Sequence, residues 1–277
     1  MATVRADPVL GFYGPHTLMW QINREAVLLG SGPAALLLQI AHPLVARGVA
    51  EHSDFERNPW KRLHGTLNTT LALVFGDGAA AEHAVRRLNR IHAGVRGEGY
   101  RALDPGLLLW VQATLIVTSV EAYQRWVGPL TPADKEQFWQ EARRVGVRLG
   151  IGLEASPADW PALRAYWARM LAPDGPIKVS DVARRLAPSI IHPPLPLLPG
   201  PLIDLLTLPS FALLPPRIRA DFGIAWDDRR ELAARLLGTA VRGWTALVPS
   251  SLRSMPQARA AQRRLWRAGL ATRWPST

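Results

Sequence analysis

The chain has 277 residues, 48% of them hydrophobic, enough for a sizeable core, and no break in composition divides it. It contains no cysteine, which excludes disulfides, thiolate-ligated haem, covalent c-type haem attachment and iron–sulfur clusters. The formal charge of +11 comes from scattered arginines without a zinc-finger, KH or RRM signature. That argues against nucleic acid and leaves a basic surface, an anionic ligand or an anionic membrane.

Met1–Pro8 has no apolar run, so no secretory signal is expected. Gly11–Gly32 is rich in turn formers, with a bend at Gly14–Pro15. Ser31 reads as the cap of a helix starting near Pro33, and Pro43 predicts a kink or break near His42. Pro59 to about Val74 and about Gly78 to Val95 read as two helices joined by a short turn, the second capped by Asp77. Asp104-Pro105 opens a helix that carries no charge from Leu107 to Val120. It falls short of the roughly 20 apolar residues of a membrane span, so it reads as the buried central helix. Thr131-Pro132-Ala133-Asp134 and Ser156-Pro157-Ala158-Asp159 read as capping boxes that start helices over 132–149 and 157–171. Arg185–Asp204 brackets an uncharged stretch with six prolines, which forbid a spanning helix. Together with Leu202–Pro216 it reads as apolar and non-helical, either a loop over the core or a membrane-facing or substrate-entry surface. Asp227–Leu247 and Gln257–Ala268 complete the helices. With no convincing strand pattern, the expectation is an all-α fold, one helical domain over residues 1–277.

Arg62–Arg96 concentrates the chemistry. Arg62 and Thr66 are four apart and share a helix face, as do His92 and Arg96. Val85, Leu88, His92 and Val95 follow helical spacing, which sets His92 in an apolar stripe. An imidazole there needs a hydrogen-bonded partner or a metal. The same residues also read as a satisfied core histidine beside solvated or paired arginines. His42 and His52 lie in similar apolar contexts and read first as structural.

The order of motifs carries more. H-S-x-F (His52–Phe55), R-x-x-x-T (Arg62–Thr66), F-G (Phe75-Gly76), H-x-x-V-x-G (His92–Gly97) and Y-x-A-x-D-P (Tyr100–Pro105) resemble the family of latex-clearing rubber oxygenases and the oxygenase of the mycophenolic-acid pathway. The resemblance runs from about Gly14 to about Pro256. It implies a globin-like core holding a non-covalent b-type haem, with His92 as proximal ligand and Arg96 beside it for a propionate. Arg62 and Thr66 match the family's arginine–threonine pair near the pocket and would orient the porphyrin edge and its hydrogen bonds. The chain also departs from the family. The rubber oxygenases have a lysine where Gly65 stands and a second histidine where Asn89 stands. Glu51 is near their catalytic glutamate but out of register. The distal side would then be vacant, water-bound, or ligated by His42, His52 or His64, with His64 pointing away from the Arg62–Thr66 face. The resemblance implies a haem-dependent oxygenase taking dioxygen and an apolar, isoprenoid or alkene substrate. The alternative is a haem-binding sensor, carrier or electron-transfer protein, and a helical protein without haem is the third reading. A cytoplasmic place is expected, with peripheral membrane contact as the further option and no nucleic-acid partner.

Overall fold

The computed structural model describes residues 5–53, 59–192 and 199–270; the side chains of residues 59–64, 66 and 201 fall outside the description. The chain is all-α, as expected. Helix α1 (Leu18–Asn23) leads through a 3-10 turn (Ala26–Ser31) to α2 (Gly32–Ile40) and α3 (Pro43–His52). Helices α4 (Pro59–Phe75) and α5 (Gly78–Gly94) follow, then a short antiparallel ribbon of β1 (Arg96–Gly97) and β2 (Tyr100–Arg101). Next come α6 (Pro105–Trp126), α7 (Pro132–Gly146), a second 3-10 turn (Val147–Leu149) and α8 (Trp160–Leu171). The chain continues through α9 (Asp181–Leu186), α10 (Pro188–Ile191), α11 (Gly200–Phe211) and α12 (Pro216–Asp221). Helices α13 (Asp228–Leu247), α14 (Ser250–Arg253) and α15 (Pro256–Arg267) complete the described chain.

The core is built around α6. Its start is set by Asp104, whose carboxylate accepts the amides of Gly106 at 2.8 Å and Leu107 at 3.3 Å, with Pro105 in the first turn, where no donor is needed. By length and composition α6 can cross a membrane, yet 61% of its apolar window is buried inside the protein, as a central helix requires. Trp110, Ala113, Val117 and Val120 pack against neighbouring helices. Polar ties fix the register. The Trp110 indole donates to the Leu38 carbonyl of α2 at 3.1 Å, Gln112 donates to Ala142 of α7 at 2.9 Å, and Thr245 of α13 donates to the Trp126 carbonyl at 2.7 Å. Each buried donor is satisfied without giving up the apolar contact around it.

Several boundaries differ from expectation for local reasons. The Ser31 hydroxyl donates backwards to the Leu28 carbonyl at 2.7 Å, so it does not cap α2. Ser210 of α11 instead accepts the Ala34 amide at 3.1 Å. Ser156 likewise donates to Gly152, and the helix begins three residues later than a Ser156 box would place it. Asp159 caps α8 by accepting the Ala162 amide at 2.7 Å. The break at Pro43 is present, with the chain bent by 104° between the two apolar segments. There His42 caps α3 with Nδ1, which accepts the Leu44 amide at 3.3 Å. Part of the proline-rich stretch read as non-helical forms α11. Pro209 lies inside it, two residues before its end, and cannot donate to the carbonyl one turn back.

Candidate functional site

Helices α4 and α5 form a hairpin that is buried at its closed end and open at the other. Leu71, Val74 and Phe75 of α4 and Ala81, Ala84 and Val85 of α5 are core residues, whereas Arg90, Ile91, Ala93 and Gly94 are exposed. Phe75 meets Trp20 edge-on at 4.9 Å. Asp77 turns the chain and accepts the Ala80 amide at 2.9 Å, as its position before Gly78 predicts. The N-terminal turn Asp7–Gly11 lies over this corner. Gly11 has φ +76 and rests on Gly76, Gly78 lies against Asp7, and the Gly78 amide donates to the Pro8 carbonyl at 3.2 Å. Close backbone approach therefore explains three glycines at once.

His92 is half-buried in the last turn of α5, with its Nδ1 shut off from solvent. The helix stops at Gly94 and Val95 is extended, so Arg96 is not one helical turn beyond His92. Arg96 lies instead on β1, exposed and paired in register with Arg101. The segment after His92 is pinned from α3. His52 Nε2 is 3.0 Å from the Arg96 carbonyl, and the Tyr100 hydroxyl donates to Glu51 at 2.5 Å. Burial together with this bond pushes the Tyr100 phenol up to about 12. A Cβ on Gly97 would come within 2.6 Å of the Tyr100 ring and 2.7 Å of the Glu51 carboxylate, so any larger residue there must displace the Tyr100–Glu51 pair. Most of the motif residues that carry the resemblance thus have framing duties: Phe75 and Gly76 at the closed corner, His52, Gly97 and Tyr100 at the ribbon, Asp104 at the start of α6.

Residues 19–243 match the family model of the ER-bound oxygenase mpaB/B'/rubber oxygenase catalytic domain. The chain belongs to this family. Among curated proteins it is similar to uncharacterized protein Rv2237 of Mycobacterium tuberculosis and uncharacterized protein Mb2261 of Mycobacterium bovis. Each is 30% identical over 233 residues, covering 78% of this chain and 89% of the relative. No solved structure matches.

The mpaB/rubber oxygenase family resemblance assigns roles that the geometry brings together only in part. The side chains of Arg62, His64 and Thr66, and the whole of Phe55, lie outside the described residues. The backbone of α4 is described, and Arg87 of α5 reaches the Thr69 hydroxyl across the hairpin at 3.5 Å. Carried one to two turns further, this register sets residues 62–66 opposite the last turns of α5, the level of His92. His42 is a cap whose pKa burial lowers, Asp104 opposing that shift, and the distance from His52 to the Arg96 carbonyl gives its ring a local use. Asn89 donates to the Arg148 carbonyl at 2.9 Å and so serves packing.

Sequence reasoning missed Arg148 and Glu82, a bidentate pair at 3.0 and 2.6 Å that fixes the turn after α7 against α5 two turns before Asn89. Nothing in their separation of 66 residues signals the contact. Among the described residues no three His, Asp or Glu side chains gather into a metal-holding group. A haem asks less of the protein, since the porphyrin supplies four ligands and one imidazole can supply the fifth. The open end of the hairpin carries one candidate for that imidazole. His92 is its half-buried imidazole, and a Cβ on Gly94 or on Gly65 would meet nothing within 4 Å among the described residues.

Proposed function

We propose that this chain is a b-type haem-dependent oxygenase acting on an apolar substrate, isoprenoid or alkene in character, with dioxygen. The observation that carries the reading is His92 in the family's ligand motif, half-buried in the last turn of α5 with its Nδ1 shut off from solvent. His92 would hold the iron through Nε2, its Nδ1 being the buried nitrogen. Arg96, exposed on β1, would pair with a propionate at the rim, a charge-assisted contact that is short and directional. Arg62 and Thr66 would orient the porphyrin edge and the hydrogen bonds around it. When bound, the haem supplies the oxidative chemistry. The protein would supply its position and the groups that hold its edge. The globin-like arrangement of the core, a single domain over residues 1–277 and a cytoplasmic place belong to the same proposal. So does peripheral membrane contact, supported by Leu232, Leu236, Trp244 and Leu247, all exposed at helical spacing along α13.

A second reading, haem binding without oxygenase activity, is favoured by Gly65 where the rubber oxygenases have lysine and by Asn89, which is committed to Arg148. A visible spectrum of the purified, reconstituted protein and its dioxygen uptake with an isoprenoid alkene separate the readings. A Soret band with alkene-dependent uptake is expected. A Soret band without uptake selects the second reading, and no Soret band removes both.

A further inference from the structure

A cleft of about 850 Å³ opens between the C-terminal half of α6, α8, the turn joining α11 to α12, and α13. That volume falls within the roughly 300–1,000 Å³ of small-molecule sites. Part of its wall is apolar: Val117, Trp126 and Trp167 are buried residues that reach it, joined by Pro209 and Leu213. The rest is charged, and unevenly. Glu121 pairs with Arg164 at 3.7 Å, and Glu231 pairs with Arg235 at 3.0 Å while also accepting the Trp226 indole at 2.9 Å. Arg125 and Arg219 remain, and among the described residues no carboxylate lies within ion-pair distance of either.

Arg219 is the unusual one. It is only 9% exposed, and its guanidinium lies over the Trp226 ring at 4.2 Å. Its Nη1 donates to the carbonyls of Phe211 at 3.3 Å and Leu214 at 3.2 Å, while its buried Nε meets no acceptor among the described residues. Burial pulls its pKa below the ordinary guanidinium value. Arg125 donates to the Ala212 carbonyl at 2.8 Å from the same side of the cleft. A guanidinium taken out of water needs an anion to recover its lost hydration, and neutral carbonyls do so only in part. Glu231, in the same cleft, opposes the burial shift of Arg219 while Arg125 adds to it, but neither arginine has a carboxylate within ion-pair distance among the described residues.

We propose that this cleft binds an amphipathic monocarboxylate, its carboxylate held by Arg219 and Arg125 and its apolar chain lying along Trp126, Trp167 and Leu213. The planar fork of a guanidinium suits a carboxylate, and the apolar wall selects a ligand with a chain over a bare anion. The site is separate from the hairpin. Leu108 in the first turn of α6 meets Gly150, at the turn that contacts α5, whereas the cleft begins at Val117, about 14 Å further along the helix at ~1.5 Å per residue. Its failure leaves the haem reading untouched, and the reverse also holds.

The test is calorimetric titration of the purified full chain, without added haem, with decanoate below its micellar range. Decanol and inorganic phosphate are the comparison probes. Decanoate should bind one molecule per chain, about tenfold or more tighter than either comparison. Arg125→Gln, at an exposed position, should weaken decanoate by a factor of several, and Arg219→Gln by about tenfold or more. Circular dichroism confirms that each variant is folded, and the charge reversal Arg125→Glu replaces Arg219→Gln if the buried substitution does not fold. Arg185→Gln, outside the cleft, should change nothing. No decanoate binding, decanol binding as tightly as decanoate, or full affinity in the folded arginine variants would each overturn the proposal. Phosphate binding as tightly as decanoate would make this an inorganic-anion site and overturn it as well.

Discussion

At the scale of single residues, His92 carries the largest expected effect. His92→Ala should abolish the Soret band of reconstituted protein or shift it, while His83→Ala, exposed on the same helix, leaves it unchanged. Retention of full haem and an unshifted band in a folded His92→Ala protein would remove the proximal assignment. Thr66→Ala and Arg62→Ala should reduce haem retention or turnover while leaving the far-ultraviolet spectrum as it was. His64→Ala should have little effect on either. The motif order in the sequence is what singles out His92, because a histidine within H-x-x-V-x-G is a local pattern. The company it keeps was not legible. Arg148 and Glu82 meet only after α7 folds back, and Arg96 leaves the helix because Gly94 and the extended Val95 end it first.

At the scale of elements, the hairpin that presents His92 is held at its far corner. Asp77→Ala removes the α5 cap and should cost about 1 kcal/mol. Gly11→Ala should cost about 1–3 kcal/mol, because the residue keeps a positive φ and its new Cβ would press on the Gly76 carbonyl. Urea midpoints measure both, and equal midpoints for Gly11→Ala and the parent would show that the corner yields. Helices whose caps are local were readable in advance: Thr131 and Asp134 form the reciprocal box at α7, and Asp104 starts α6. Those whose ends depend on another element were not. Ser31 looks like a cap, yet the acceptor for α2 comes from Ser210, and no periodicity in the sequence reports such a partner. The ribbon is equally silent in the sequence, since two-residue strands carry no alternation to read.

At the scale of the molecule, the two ends of the described chain are stitched together. Glu25, 1% exposed, lies between Arg24 at 3.4 Å and Arg253 at 2.9 Å, and Arg253 also donates to the Thr245 carbonyl. The Met255 amide donates to the Arg24 carbonyl at 2.7 Å, and Arg264 reaches the carbonyls of Val9 and Phe75. Glu25→Ala leaves two guanidiniums with little access to water and should cost about 3–5 kcal/mol. Burial raises the Glu25 pKa above its ordinary 4.5, with Arg253 and Arg24 opposing the shift. The folded state then holds this proton more tightly than the unfolded chain. Its contribution to stability falls as pH rises from about 4.5 through the raised value and returns on acidification. The Tm of the parent should fall relative to that of Glu25→Gln as pH rises across that window, and a relative rise would reverse the assignment. The same stitching sets an order in time. Residues 7–25 are made before Met255, Ala258, Ala261 and Leu265, which belong to the same buried cluster as Trp20 and Ile22. A nascent chain halted before Met255 should therefore present part of that cluster to chaperones and proteases until α15 arrives.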